Sequence, residues 1–346
     1  MKKVCVIGHF AFGENLANGQ TLKTKSFCDG FVSAFGENEV MKIDSRGGIK
    51  TLLKAPFQCV KALKHAKNVI IFPAHNGVRV YAPLLAFLRK FHKETKIFYS
   101  VVGGWLPELI KKRKRLAKSL KKFDGIFVET EYLVSALKAE GFTNVKKVPN
   151  FRPEPPIDES EAVYPEKPYP FATFSRVTRK KGIEEAINAV KTVNAKKGEI
   201  VCSLDIYGAV DDGEEEWFNK LRAEFPPFVA YKGAADGDDA PRVLKNYYAL
   251  LLPTRYYTEG IPGAIEDAYL AAVPVIATAW QSATDIIDDG ATGYITPFGD
   301  EAAFIEKVEY AVEHYEEFTA MKKRALAKSA EFAPDKIIAT AAEEFV

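Results

Sequence analysis

Short apolar runs of strand length alternate with stretches of helical length along this chain. In residues 4–7, 69–72 and 126–128 consecutive positions are apolar, as are all of 97–102 but Ser100, the mark of strands buried on both faces. Between them, residues 15–35 read as a loop followed by a helix, and 80–91 and 131–140 as helices. Seven prolines, Pro149, Pro153, Pro155, Pro156, Pro165, Pro168 and Pro170, then interrupt the pattern without periodicity and read as a linker. The alternation restarts after them. Residues 171–174, 203–207, 228–231, 249–252 and 275–277 are strand-like, and 183–193 is a helix. Strands alternating with helices require right-handed crossovers and a parallel sheet. The expected fold class is α/β, with two Rossmann-like doubly wound parallel-sheet domains facing a cleft. The expected domains are residues 1–155 and 156–330, with a C-terminal helix, 331–346, packing back on the first.

Length and charge sharpen this division. A chain of 346 residues exceeds one typical domain. Its net charge of +2 conceals 27 Lys and Arg against 11 Asp and Glu in residues 1–150, with the balance reversed in the remainder. Such a split points to an anionic partner for the first half alone. The stretch from Lys111 to Lys122 holds eight cations and no acid, with Leu109, Ile110, Leu116, Leu120 and Phe123 giving it an apolar side. It reads as one basic amphipathic helix that meets an anionic membrane surface. No aromatic stacking platform accompanies it, so nucleic acid is not expected. The four cysteines are scattered without a Cys-x-x-Cys pair, as in a reducing cytosol. No apolar run is long enough for a signal-peptide core or a membrane span, so the expected location is cytoplasmic, peripheral at the inner face of the cell membrane.

The most informative segment is Tyr257-Thr258-Glu259-Gly260-Ile261-Pro262-Gly263-Ala264-Ile265-Glu266-Asp267-Ala268, followed by Val273-Pro274-Val275-Ile276-Ala277. A Gly-Ile-Pro-Gly turn leading into a helix offers backbone N–H groups and a positive dipole end, suited to a diphosphate. The flanking carboxylates would repel that anion and suit neutral hydroxyls, those of a sugar and a ribose.

With Phe174-Ser175-Arg176-Val177-Thr178-Arg179-Lys180-Lys181-Gly182 upstream and Asp289-Gly290-Ala291-Thr292-Gly293-Tyr294 downstream, this segment resembles the retaining glycosyltransferases of family 4, group 1 glycosyl transferases of the GT-B fold. The resemblance spans residues 171–300. Asn18-Gly19-Gln20-Thr21-Leu22-Lys23-Thr24 looks like the loop after the first strand in enzymes of capsule and exopolysaccharide assembly. Three features depart from the family pattern. Asp267 stands where Glu is usual, Gln281-Ser282-Ala283-Thr284-Asp285 replaces Gly-Gly-x-Pro-Glu, and Gly103-Gly104 replaces a common His.

The resemblance implies a transfer from a nucleotide-diphosphate sugar to a polyprenyl-linked or oligosaccharide acceptor, without cofactor or metal. Arg176 and Lys181 are the candidates for the diphosphate, since fixed cations stabilise the charge that builds on a departing phosphate. Glu259 is expected to bind donor-sugar hydroxyls, and Asp267 the ribose, with Glu266 as the fallback. Gly208, Lys232, Gly260, Ile261, Pro262 and Gly263 complete the donor side. Gly19, Gln20, Thr21, Lys23, His75, Gly103 and Gly104 are candidates for the acceptor or phosphate, with Trp105 as a stacking face. Asp211 and Asp212, and the acids of 236–239, read as solvated loop residues. Two alternatives remain: a non-catalytic partner subunit of a glycosyltransferase, and a nucleotide-sugar 2-epimerase on the same fold.

Overall fold

The structure, a computed structural model, describes residues 1–13, 18–235 and 239–346, with the side chains of all but 49 and 50. Two compact units divide it: Met1–Pro153 with Phe332–Val346, and Glu154–Glu331.

The first unit runs β1 (Lys2–Gly8), α1 (Gly19–Phe35), β2 (Val40–Asp44), α2 (Gly48–His65), β3 (Ala66–Ile71), α3 (His75–Leu88), β4 (Lys96–Ser100), α4 (Leu106–Lys112), α5 (Lys114–Leu120), β5 (Gly125–Val128), α6 (Glu131–Ala139) and β6 (Val145–Lys147). Its six strands lie parallel in the order β2-β1-β3-β4-β5-β6. Successive side chains of a strand face opposite ways, and the packing follows that rule. Cys5, Ile7, Val69, Ile71, Ile97 and Tyr99 meet α2 to α6 on one side. Val4, Val6, Ile70, Phe72 and Phe98 meet α1 on the other. The elements β2 and α2 fall where the sequence predicts nothing. β2 is short and only half apolar, and α2 carries Pro56 inside it.

The second unit runs β7 (Tyr169–Phe174), α7 (Ile183–Lys197), β8 (Cys202–Tyr207), α8 (Glu215–Ala223), β9 (Val229–Gly233), α9 (Ala240–Leu244), β10 (Ala249–Leu252), α10 (Gly263–Leu270), β11 (Val275–Thr278), β12 (Gly293–Thr296), α11 (Glu301–Glu313), α12 (Tyr315–Thr319) and α13 (Met321–Lys328). Its parallel order is β12-β11-β10-β7-β8-β9. Strands β10 and β11 are buried at every position, as their unbroken apolar runs require. Helix α14 (Pro334–Ala342) returns to the first unit, where Ile337 and Ile338 join the core beside α1. The chain end follows it, with Asn68 bonded to Val346 at 3.1 Å.

In each sheet the strand order reverses once, between β1 and β3 and between β7 and β10. Open α/β sheets bind ligands beyond the carboxyl ends of the strands at such switch points.

The basic stretch 111–122 is not the single helix its sequence predicts. Arg113, at φ −130° and ψ 67°, breaks it into α4 and α5. Leu116 and Leu120 are buried against the sheet, and the cations of the stretch stay exposed. Among the described residues no helix is long and apolar enough to cross a membrane.

The second unit also buries a lone cation. Lys322 of α13 is fully buried, and its Nζ donates to the Tyr247 carbonyl at 3.1 Å. Burial pushes its pKa down to about 7. Above that pH the folded chain holds a neutral amine while the unfolded chain keeps its proton up to about 10.4. The unfolded state binds more protons in this window, so Lys322 adds stability as pH rises through it. Lys322→Met is expected to raise the urea midpoint at pH 7 and to flatten its rise between pH 7 and 9. A wild-type midpoint already flat over that range would count against a neutral buried amine.

Candidate functional site

At the carboxyl end of β7 the chain turns through Arg179–Lys181 and closes on Gly182, at φ 74°. A Cβ on Gly182 would lie 1.9 Å from the Pro253 carbonyl oxygen, so glycine alone lets this turn sit over the end of β10. Two hydrogen bonds to the Lys180 carbonyl strap it there, from the Arg255 N–H at 2.9 Å and the Thr254 hydroxyl at 3.3 Å. The strap aims Lys181 at Glu259, and Lys181 Nζ donates to Glu259 Oε1. Their side chains are 16% and 11% exposed, so the pair is largely desolvated yet still reaches solvent. The Thr254 hydroxyl stands 3.4 Å from the same Oε1.

The segment carrying Glu259 is held from the β11 side. Trp280 Nε1 donates to the Gly260 carbonyl at 3.2 Å, the Gln281 N–H to Tyr257 at 3.1 Å, and the Thr278 hydroxyl to the Thr254 carbonyl at 2.7 Å. The loops after β7, β10 and β11 therefore converge beside the β7/β10 switch point. The sequence pattern named Lys181 and Glu259 separately. The structure makes them direct partners across 78 positions of chain.

Arg176 lies on the same loop. Its Nη1 donates to both carboxylate oxygens of Asp211, at 2.7 and 2.8 Å. Asp211, expected to be a solvated loop acid, is therefore the residue that orients Arg176. Arg179 bonds Glu214 at 2.9 Å and lies over the Trp217 ring at 4.9 Å. Residues 236–238 of the other acidic loop lie outside the described residues.

Gly260, Ile261 and Pro262 are buried and Gly263 opens α10, whose N-cap residue, Pro262, has no side-chain capping bond. Glu266 and Asp267, in the first turns of α10, are both buried, at 1% and 3% exposure. Gly208 is required for a reason internal to the fold. At φ 134°, a Cβ there would lie 1.7 Å from the Ser175 carbonyl oxygen. Lys232 is exposed and pairs with Asp205 of β8 at 3.4 Å.

In the first unit, Gly19, Gln20, Thr21 and Lys23 are not a loop. The Asn18 side chain accepts from the Thr21 N–H and starts α1 at Gly19, so all four lie in its first turns. Thr21 is buried, with its hydroxyl 2.6 Å from His9 Nδ1, and Gln20 Nε2 reaches the Phe72 carbonyl at 3.5 Å. Lys23, 2% exposed, donates to Glu129 at 2.6 Å and to the Val101 carbonyl at 2.8 Å. Its charge is used internally. His75, Gly103 and Gly104 do come together, around Trp105. The His75 and Trp105 rings stack at 3.8 Å, and Trp105 Nε1 donates to the Val102 carbonyl at 2.6 Å. Burial against that ring lowers the His75 pKa.

Sequence reasoning missed a cavity of about 560 Å³ at the carboxyl ends of β1 and β2, lined by His9, Asn18, Ser45, Arg46, Gly47 and Gly48. Its signal was Arg46-Gly47-Gly48, directly after the unrecognised strand β2.

The second unit thus sets an ammonium beside a carboxylate at a switch point. That combination can hold an anion and a neutral polyol side by side.

Comparisons with known proteins bear on the second unit's family and on the fold. Residues 170–314 match the family Glycosyl transferases group 1. Glycogen synthase of Pseudomonas syringae pv. syringae is 28% identical over 160 residues, 45% of this chain and 32% of that protein. The capsular polysaccharide biosynthesis glycosyltransferase CapM of Staphylococcus aureus is 28% identical over 138 residues, 39% of this chain and 34% of that protein. The chain spans about a third of the length of the curated relatives it matches. Among solved structures, Anabaena Alr3699/HepE in complex with UDP superposes with a TM-score of 0.77 at 14% identity, over 99% of both chains. The fold is that of the GT-B glycosyltransferases.

Proposed function

We propose that this chain, whose second unit carries a glycosyl transferases group 1 domain, moves a sugar from a nucleotide-diphosphate donor to a glycan or polyprenyl-linked acceptor in bacterial surface polysaccharide synthesis. The observation that carries this is the Lys181–Glu259 pair, with Arg176 on the same loop after β7. Lys181 and Arg176 take the diphosphate, and Glu259 takes donor-sugar hydroxyls. In the transfer the anomeric C–O bond to the diphosphate breaks and a bond to the acceptor oxygen forms on the same face. A phosphate oxygen of the leaving group receives the acceptor's proton. The enzyme's part is electrostatic, through cations fixed where charge develops, and neither cofactor nor metal enters the scheme.

The kinship with a capsular glycosyltransferase supports the polysaccharide assignment, and the neighbour that holds UDP supports a nucleotide donor. The first unit takes the acceptor, with the exposed His75 ring as its sugar-facing surface; Trp105, expected as a stacking face, is buried beneath that ring and only backs it. Its basic segment keeps the protein at an anionic membrane face.

The test is turnover. The full chain is incubated with a panel of nucleotide-diphosphate sugars and oligosaccharide acceptors, and nucleoside diphosphate release and the anomeric configuration of the product are followed. Release with a retained anomer is the expected result. Nucleotide binding without turnover on any donor would instead point to a non-catalytic subunit, and an inverted anomer would refute same-face displacement.

A further inference from the structure

The helix layer on the α2 side of the first sheet carries apolar side chains where a solvated surface carries polar ones. Leu53 and Phe57 of α2 are 73% and 80% exposed, Phe87 near the end of α3 is 56% exposed, and Phe91, just beyond it, is 71% exposed. These positions are not defects of core packing. Helix α2 already buries Ala55, Cys59, Ala62 and Leu63 against the sheet. At about 100° per residue, Leu53 and Phe57 stand on the side facing away. Phe87 stands likewise opposite Val78, Ala82 and Leu85 of α3.

These side chains share a face with the basic segment. Helix α3 packs between α2 and α5, and the Tyr81 hydroxyl bonds Gln58 across the first of these contacts. Helix α5 buries Leu116 and Leu120 in the same core, so Lys114, Arg115 and Lys118 point outward with the rest. Lys54, Lys61 and Lys64 are exposed on α2 itself. Lys90 lies 5.6 Å from the centre of the Phe87 ring. Over residues 48–122 the chain has 18 Lys and Arg and 2 acids. A helix layer that exposes both large apolar side chains and many cations matches an anionic bilayer, which offers apolar depth and continuous negative charge without shape matching.

We propose that the α2–α3–α5 layer is an interfacial membrane-binding surface. Leu53, Phe57, Phe87 and Phe91 enter the boundary between headgroups and acyl chains of an anionic bilayer, while the surrounding lysines and arginines meet lipid phosphates. This rests on the membrane contact named above and extends it from charge attraction to insertion.

The experiment is co-sedimentation of the full chain with vesicles of phosphatidylcholine alone or mixed with phosphatidylglycerol, at low and high salt. The variants are Phe57→Ser/Phe87→Ser and Lys114→Gln/Lys118→Gln, all at exposed positions. Wild type is expected to bind the mixed vesicles and to keep part of that binding at high salt. The serine variant is expected to bind them about tenfold or more weakly and to lose the salt-resistant part. The glutamine variant is expected to lose low-salt affinity while keeping salt-resistant binding. Donor hydrolysis, read without vesicles, is expected to be unchanged in both. Equal binding by the serine variant and wild type would overturn insertion and leave a purely electrostatic contact standing. No wild-type binding to either vesicle would overturn the membrane contact as well. A wild-type dimer by light scattering, lost in the serine variant, would reassign the patch to an interface between two copies.

Discussion

Lys181→Ala is expected to lower kcat for sugar transfer by about 10² to 10³-fold, in line with the removal of one fixed donor aimed at developing charge. The substitution removes two things at once. The departing diphosphate loses its ammonium, and Glu259, whose side chain is 11% exposed, loses the cation that offsets its charge. The carboxylate then repels the donor's phosphates while still facing its sugar. The turn itself is held by backbone bonds through Lys180 and by Gly182, not by the Lys181 side chain. The variant should therefore fold, and far-UV circular dichroism would match wild type. Steady-state kinetics with a saturating nucleotide-sugar checks the effect. A kcat within about threefold of wild type would remove Lys181 from the chemistry.

Lys23→Met is expected to cost about 3–5 kcal/mol of stability, the usual result of stripping one partner from a buried ion pair. The side chains of Lys23 and Glu129 are 1% and 4% exposed. Without the ammonium, Glu129 keeps a buried charge. The double variant Lys23→Met/Glu129→Leu removes both charges and should recover most of that loss, since apolar groups can fill the site without a desolvation penalty. Urea midpoints at constant m-value would report both effects. A single-variant cost below about 1 kcal/mol would contradict the burial argument. So would a double variant no more stable than the single.

The alternation of strands and helices was legible because parallel strands buried on both faces leave unbroken apolar runs. Residues 4–7 and 249–252 are read correctly for that reason. The missed elements carry weaker signals. β2 is a five-residue edge strand with a lysine and an aspartate, and α2 hides behind Pro56. At the site, the sequence shows which side chains have suitable chemistry, and it does not show which of them meet. Lys181 and Glu259, like Arg176 and Asp211, are joined by a sheet order that brings β7 between β8 and β10. Lys23 illustrates the converse. In a Gly-containing segment after the first strand it looks like a phosphate ligand, and only the fold reveals Glu129 beneath it. Phe57 and Phe87 look like core residues until the helix faces are known.

The central claim is that Lys181 grips a diphosphate. Calorimetric titration of nucleoside diphosphate and nucleoside monophosphate into wild type and Lys181→Ala tests it most directly. Wild type is expected to prefer the diphosphate by about tenfold or more, the worth of one charge-assisted hydrogen bond, and that preference is expected to collapse in the variant. An undiminished preference for the diphosphate in Lys181→Ala would contradict the account.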